Sequence, residues 1–323
     1  MKATARAHPI QGIVKYHGMR DHDLRLPYHD SISVCTAPSN TTTTVAFDPD
    51  LAEDTYVVDG EDLSGHGADR VRSVVDEVRE RAGIDDRVRL ESENSFRTNV
   101  GLGSSASGFA AAATALAEAA GLDHSLPEIS TIARRGSASA ARATTGGFSI
   151  LYDGMNDRDC HGERLDTGFD EDDLRIVIGM VPAYKETEAA HREAESSHMF
   201  RARLAHIHEQ IAEAKDALRA GEFDRTFELG EHDSLSLAAT TMTGEAGWVY
   251  WKPATLAIFD AVRDLREEGV PAYFSTDTGA SVYVNTTAEH AERVEEAIAE
   301  YADTRIWEVG GPARVLDPAE ALF

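Results

Sequence analysis

The chain has 323 residues and a formal net charge of −26, from 31 basic and 57 acidic side chains, with apolar content enough for one large domain or two lobes. Neutralising phosphates requires basic surface, so this balance excludes nucleic acid as an expected partner. Cys35 and Cys160 are too few and too far apart to suggest a disulfide framework, and the dipeptide Cys160-His161 lacks metal-site spacing, so no protein metal site is expected. The opening MKATARAHPIQG has no apolar segment of signal-peptide kind, and no run reaches the length of a membrane span. The expectation is a cytoplasmic protein with no membrane partner.

In chain order, residues 1–60 read as short strands and turns, with β-branched content at Ile32–Cys35 and Thr42–Phe47. Between them lies a segment in which Lys15, Tyr16, His17, Arg20, Asp21 and His29 crowd together; its default reading is a solvated polar loop. Val71, Val74, Val75 and Val78 fall on one face of a helix over 66–82, and Val88 and Leu90 alternate in a strand after it. Gly101-Leu102-Gly103-Ser104-Ser105-Ala106-Ser107-Gly108 then leads into an alanine-rich helix that should pack closely against a sheet. Gly101 and Gly103 permit backbone angles forbidden to other residues, and Ser104 or Ser105 can cap the helix. A helix start of this kind suits a phosphate, although neither a Walker A loop nor a G-x-G-x-x-G is present.

Pro127 stands at a first helical position, and Ser137, Ser139 and Arg142 follow on a short helix, where Ser139 and Arg142 share a face. Two hydroxyls and a guanidinium make a receptor for a carboxylate or phosphate. Leu174–Val181 is the strongest buried-strand signal, with a lobe boundary expected near residue 172, giving lobes over 1–172 and 173–323. Residues 186–220 read as one long charged helical stretch, and 223–240 and 253–269 as further helices. Residues 272–284 read as strand, turn, strand around Thr276-Asp277-Thr278-Gly279, and a helix over 287–301 and a short strand at 305–307 close the chain. This order suggests an α+β lobe with its helices on one sheet face.

Three ordered motifs resemble the decarboxylase branch of the GHMP kinase superfamily, typified by diphosphomevalonate decarboxylase. They are Lys15-Tyr16-x-Gly18-x-Arg20-Asp21 with Leu26-Pro27 and Ser31–Val34, the loop Gly101–Phe109, and Gly136-Ser137-x-Ser139-Ala140-x-Arg142 with Gly146-Gly147-Phe148. Weaker echoes run through Asp233-Ser234 and Thr240–Thr243 to Asp277-x-Gly279, so the resemblance spans nearly the whole chain. It implies a two-lobed α+β fold, with an N-terminal mixed α/β lobe and a C-terminal lobe of helices on an antiparallel sheet.

The resemblance also implies chemistry: ATP phosphorylates a tertiary 3-hydroxyl, and the 3-phosphate then leaves with CO2 to form an alkene. Ser104 and Ser105, with Gly101 and Gly103, would hold the phosphates of ATP and Mg2+. Asp277 would accept or orient the hydroxyl proton, a contribution of roughly 10²–10⁴-fold for a general base. Lys15 would add positive charge beside it, and Arg142, helped by Ser137 and Ser139, would pair with the substrate carboxylate. Tyr16, Arg20 and Arg192 complete the implied substrate contacts, and a homodimer is the family's frequent state.

The departures from the family pattern bear on the substrate. Met19 stands where the diphosphate-using enzymes usually carry a lysine that helps hold the diphosphate, His17 replaces a tryptophan, and His29-Asp30 replaces a stretch with asparagine. A thioether cannot pair with a phosphate, so the pattern resembles the haloarchaeal phosphomevalonate decarboxylases and implies mevalonate 5-phosphate as substrate and isopentenyl phosphate as product. Two alternatives stand for Met19: loss of a charged contact, or simple avoidance of lysine with Arg192 or Arg20 substituting. Lysine is indeed scarce, since five lysines leave 26 of the basic residues as arginine. Few lysines and abundant Asp and Glu resemble proteins that work in concentrated salt, where the Debye length falls to roughly 3 Å. A diphosphomevalonate decarboxylase, a 3-kinase without decarboxylation, and a silent ATP-binding regulator are the competing readings.

Overall fold

The computed structural model describes residues 1–96, 103–183 and 187–323. Its first half contains strands β1 (Lys2–Ala7), β2 (Ile10–Val14), β3 (Met19–Asp21), β4 (Leu26–Pro27), β5 (Ser31–Ala37), β6 (Thr41–Asp48), β7 (Thr55–Val58) and β8 (Glu61–Asp62). Helix α1 (Gly65–Ala82), strand β9 (Arg87–Asn94) and helices α2 (Ser104–Ala119), α3 (Leu126–Gly136) and α4 (Ala138–Thr145) follow, then β10 (Phe148–Leu151) and β11 (Gly162–Arg164). The second half runs β12 (Leu174–Met180), α5 (Thr187–Ser196), α6 (Phe200–Ala220), α7 (Phe223–Met242), α8 (Pro253–Glu267), β13 (Tyr273–Ser275), β14 (Val282–Thr287), α9 (Ala291–Ile298), β15 (Asp303–Val309) and β16 (Arg314–Val315).

Two sheets carry the fold. The first has the order β16-β1-β6-β9-β7-β8. Helix α2 lies on it with a face of alanines, so Ala106, Ala110, Ala113 and Ala117 share one core with Ala3, Ala5, Val45 and Leu90. Small side chains let the helix approach the strands closely, as its composition predicts. The expected α1 face is buried through Val71, Val74, Val75 and Val78. Helix α3 starts at a capping box, with Glu128 Oε2 accepting from the Ser125 N–H at 2.8 Å and Pro127 in the first turn.

The second sheet has eight strands in the order β11-β10-β5-β15-β12-β14-β13, with β2 pairing to β5. Strands from both halves of the chain therefore share one ladder. The junction is β15, paired to β12 through Ile176–Trp307 and to β5 through Val309–Thr36. The strand expected at 305–307 is thus longer and central. The stretch 186–220 is interrupted: between α5 and α6 the Met199 N–H donates to Ser197 Oγ at 3.0 Å, and that hydroxyl also meets Thr243 Oγ1 at 2.6 Å. The helix expected over 287–301 is a single 3-10 turn, Ala288–His290, followed by α9. The cysteines Cys35 and Cys160 are free and buried.

Candidate active site

Strand β2 is buried along its length and delivers Lys15 into the interior, where it is only 5% exposed. The segment from Lys15 to His29 is therefore not a solvated loop: Lys15, Tyr16, His17, Met19 and His29 are all buried. Lys15 Nζ donates to Ser234 Oγ at 3.0 Å and to the Ile13 and Gly230 carbonyls at 3.3 and 3.4 Å, with Asp233 Oδ2 at 3.5 Å. The Lys15 N–H donates to that same Asp233 oxygen at 2.9 Å. From α6, Arg203 Nη2 donates at 2.7 Å to both Asp233 Oδ1 and the Lys15 carbonyl. Burial pulls the lysine below its ordinary pKa, while the Asp233 and Asp277 carboxylates act against that shift. Burial pushes the Asp233 carboxyl up, but Arg203 and Lys15 outweigh it and hold the group below its usual value.

Asp277 comes from the turn after β13. Its Oδ1 accepts from the Gly12 N–H at 3.2 Å. Glycine is required there for close approach: a Cβ on residue 12 would stand 2.5 Å from Lys15 Cγ and 2.9 Å from Asp277 Oδ1. The absence of one side chain thus lets the lysine and the aspartate share a site.

Arg142 enters from α4 and is 3% exposed. Its Cζ lies 5.3 Å from the centroid of the Tyr16 ring, whose plane also stacks on His191 at 5.0 Å. Among the described residues, Arg142 Nε and Nη1 have no hydrogen-bond partner. Burial lowers its pKa, opposed by Tyr16 and Asp277. A buried guanidinium with open donors is costly unless an anion answers it. Ser137 and Ser139 sit at the start of the same helix with their hydroxyls 3.2 Å apart.

These groups line one cleft of about 1090 Å3, which also takes in Gly103, Ser104 and Ser105. Gly103 is the N-cap of α2, with φ +73°, a conformation that favours glycine. Ser104 and Ser105 are therefore the first two helical residues and neither caps the helix, contrary to the sequence expectation. They lie in the first turn of the helix, where the backbone N–H groups that a helix start leaves free suit phosphate oxygens. Gly101 lies outside the described residues.

Arg20 and Arg192 are exposed and do not line the cleft. Arg20 Nη2 donates to the Asp153 carbonyl at 2.7 Å, with Nη1 3.6 Å from that carboxylate. Three features escaped the sequence reading: the clamp by Arg203, the stacking of His191 on Tyr16, and the presence of Arg25 in the cleft. A signal for Arg203 did exist. It sits four residues before Ile207, on the same stripe as Ile211, Ala214 and Leu218, so helical spacing turns it inward. Among the described residues no group of three or more His, Cys, Asp or Glu could hold a metal ion, and no helix is long and apolar enough to cross a membrane.

Residues 7–162 match the family model of the diphosphomevalonate decarboxylase-like N-terminal domain. The chain is 71% identical to the phosphomevalonate decarboxylase of Haloferax volcanii, covering 100% of both. It is 28% identical to the diphosphomevalonate decarboxylase of Ganoderma lucidum, over 93% of this chain and 82% of that one. The mevalonate diphosphate decarboxylase of Staphylococcus aureus superposes with a TM-score of 0.93 at 29% identity, covering 98% of each chain. A structure of MDDEF in complex with MVAPP, AMPPCP and magnesium superposes with a TM-score of 0.92 at 28% identity, covering 98% of this chain and 99% of that one.

Proposed function

The chain belongs to the diphosphomevalonate decarboxylase-like family, and from that premise we propose that it converts mevalonate 5-phosphate and ATP to isopentenyl phosphate, CO2, ADP and phosphate. It has the GHMP kinase-like α+β fold and is an ATP-dependent carboxy-lyase. Full-length identity of 71% to a phosphomevalonate decarboxylase supports the monophosphate as substrate, as does the uncharged Met19 in the cleft lining. We set the boundary between the lobes at residue 172, just before β12, so that Lys15, Arg142 and the phosphate loop fall in one lobe and Asp277 in the other.

The observation that carries the reading is Arg142. A 3-kinase needs the Lys15–Asp277 pair and a phosphate loop; a buried guanidinium with two open donor atoms in the same cleft adds a receptor for the carboxylate that will leave. Asp277, held by the Gly12 N–H, orients and accepts the proton of the 3-hydroxyl as its oxygen attacks the γ-phosphorus of ATP. Lys15, fixed by Asp233 and Ser234, sets a positive charge beside that oxygen as the phosphoryl group transfers. In the second step the C1–C2 bond breaks to release CO2, its electron pair forms the C2–C3 double bond, and the C3–O bond breaks to release phosphate. Arg142 orients the carboxylate, with Tyr16, Ser137 and Ser139 as further substrate contacts. Because charge leaves the carboxylate as CO2 forms, Arg142 aligns the bond to be broken and does not favour the product.

The backbone donors after Gly103 and the hydroxyls of Ser104 and Ser105 suit the phosphates of ATP, and these hydroxyls would help to hold Mg2+. When bound, the ion neutralises phosphate charge.

The test supplies ATP and Mg2+ with either mevalonate 5-phosphate or its 5-diphosphate in molar KCl, and measures ADP and CO2. The monophosphate is expected to have the higher kcat/KM, with one CO2 per ADP. Higher kcat/KM for the diphosphate would overturn the substrate, and ADP without CO2 would leave a kinase.

A further inference from the structure

We propose that Ser234 is a positioning residue of the active site: its hydroxyl ties the Lys15 ammonium to the turn that carries Asp277. The assignment rests on the roles given to Lys15 and Asp277 above. Those side chains come from distant parts of the chain, Lys15 just after β2 and Asp277 just after β13. A group bonded to both supports fixes their separation, and phosphoryl transfer depends on such positioning.

Ser234 is fully buried on α7. A hydroxyl has one proton to give and two lone pairs to fill. The proton has its partner one turn back in the Gly230 carbonyl at 2.8 Å, with Ser275 Oγ a longer alternative at 3.3 Å. The oxygen accepts from Lys15 Nζ at 3.0 Å and from the Thr276 N–H at 3.1 Å. Thr276 is the residue next to Asp277, so one saturated hydroxyl joins the lysine to the aspartate's turn.

The neighbouring bonds do a different task. Ser275 Oγ donates to the Gly12 carbonyl at 3.1 Å, and the Gly12 N–H donates to Asp277 Oδ1 at 3.2 Å. These pin the turn to the backbone of β2 and leave the four-carbon stem of Lys15 free to change rotamer. Asp233 Oδ2 takes the Lys15 N–H at 2.9 Å but stands 3.5 Å from the ammonium, so it anchors backbone more firmly than charge. The Ile13 and Gly230 carbonyls lie at 3.3 and 3.4 Å. Ser234 Oγ is nearer to Nζ than any of these, and it orients the tip of the side chain.

The experiment compares Ser234→Ala and Ser234→Cys with the wild type on mevalonate 5-phosphate and ATP in molar KCl. It follows kcat, both KM values, the alkaline fall of kcat, and thermal unfolding. Cysteine fills nearly the same space but is a weak donor and acceptor, so it separates hydrogen bonding from packing. Both variants are expected to lower kcat by about 30-fold and to leave each KM within about threefold, because the cleft's substrate contacts are untouched. The midpoint of the alkaline fall is expected to move to lower pH, since a hydrogen bond to the charged form of Lys15 is lost. The charged groups that face Lys15 stay in place: Asp233 from α7, Arg203 from α6 and Asp277 from the turn after β13. A kcat for Ser234→Cys within about threefold of the wild type, with normal wild-type turnover, overturns this assignment alone. A lower kcat with an unmoved midpoint overturns it too, by making the hydroxyl part of the scaffold only. Should Ser234→Ala fail to fold, Ser234→Cys decides by the same readouts. Absence of wild-type turnover overturns the parent reading and this assignment with it.

Discussion

Lys15 illustrates how the site depends on single groups. Burial draws its pKa below 10.5 and two carboxylates act against that shift, so its charge is lost earlier than an ordinary lysine's as pH rises. In the proposed mechanism Lys15 acts in its protonated form. kcat followed from pH 7 to 11 in molar KCl is therefore expected to fall with a midpoint below 10.5; a kcat still flat at that pH would remove Lys15 from the phosphoryl step. The sign for stability is opposite. With the folded pKa below the unfolded one, the unfolded chain binds more protons between the two values, so this group's contribution to stability improves as pH rises through that window. The alkaline loss of activity is then a loss of charge in a folded enzyme, which circular dichroism at the same pH values checks.

At the scale of elements, β2 matters through what it lacks. Substituting Gly12→Ala is expected to cost about 100-fold in kcat, because a Cβ 2.5 Å from Lys15 Cγ pushes apart the two groups that the proposed mechanism brings together. Steady-state kinetics with a thermal melt checks this, and a variant with normal kcat would show that the Lys15–Asp277 spacing is loose. Most elements were legible locally: valine spacing marked α1, alanine content marked α2 as a tightly packed helix, and the Leu174–Val181 run marked β12. The residues that converge in the cleft, Lys15, Arg142 and Asp277, were legible only as members of an ordered set of motifs. What was not legible is long-range. Hydroxyl bonding by Ser197 to the next helix start and to Thr243 interrupts a stretch whose charge pattern is continuous. The burial of Arg25 left no local signal, since nothing in the sequence says that its hairpin folds against α3. The capping role expected of Ser104 or Ser105 went to Gly103, because a left-handed residue already sets the helix start.

For the whole molecule, charge is the governing quantity. A net −26 on 323 residues repels itself unless salt screens it. Lowering KCl from molar to about 0.1 M is expected to reduce helical ellipticity and ADP release together; full activity and monodispersity at the lower salt would refute this. The fold bears on the enzyme's birth as well. Strand β15 lies between β5 and β12, so the ladder that unites Lys15 with Asp277 closes only after residue 309 exists. On a ribosome the Gly103–Gly108 stretch emerges some two hundred residues earlier, before Asp277 and before the sheet is complete. Under the proposed roles, a chain of that length lacks Asp277 and so cannot yet spend ATP.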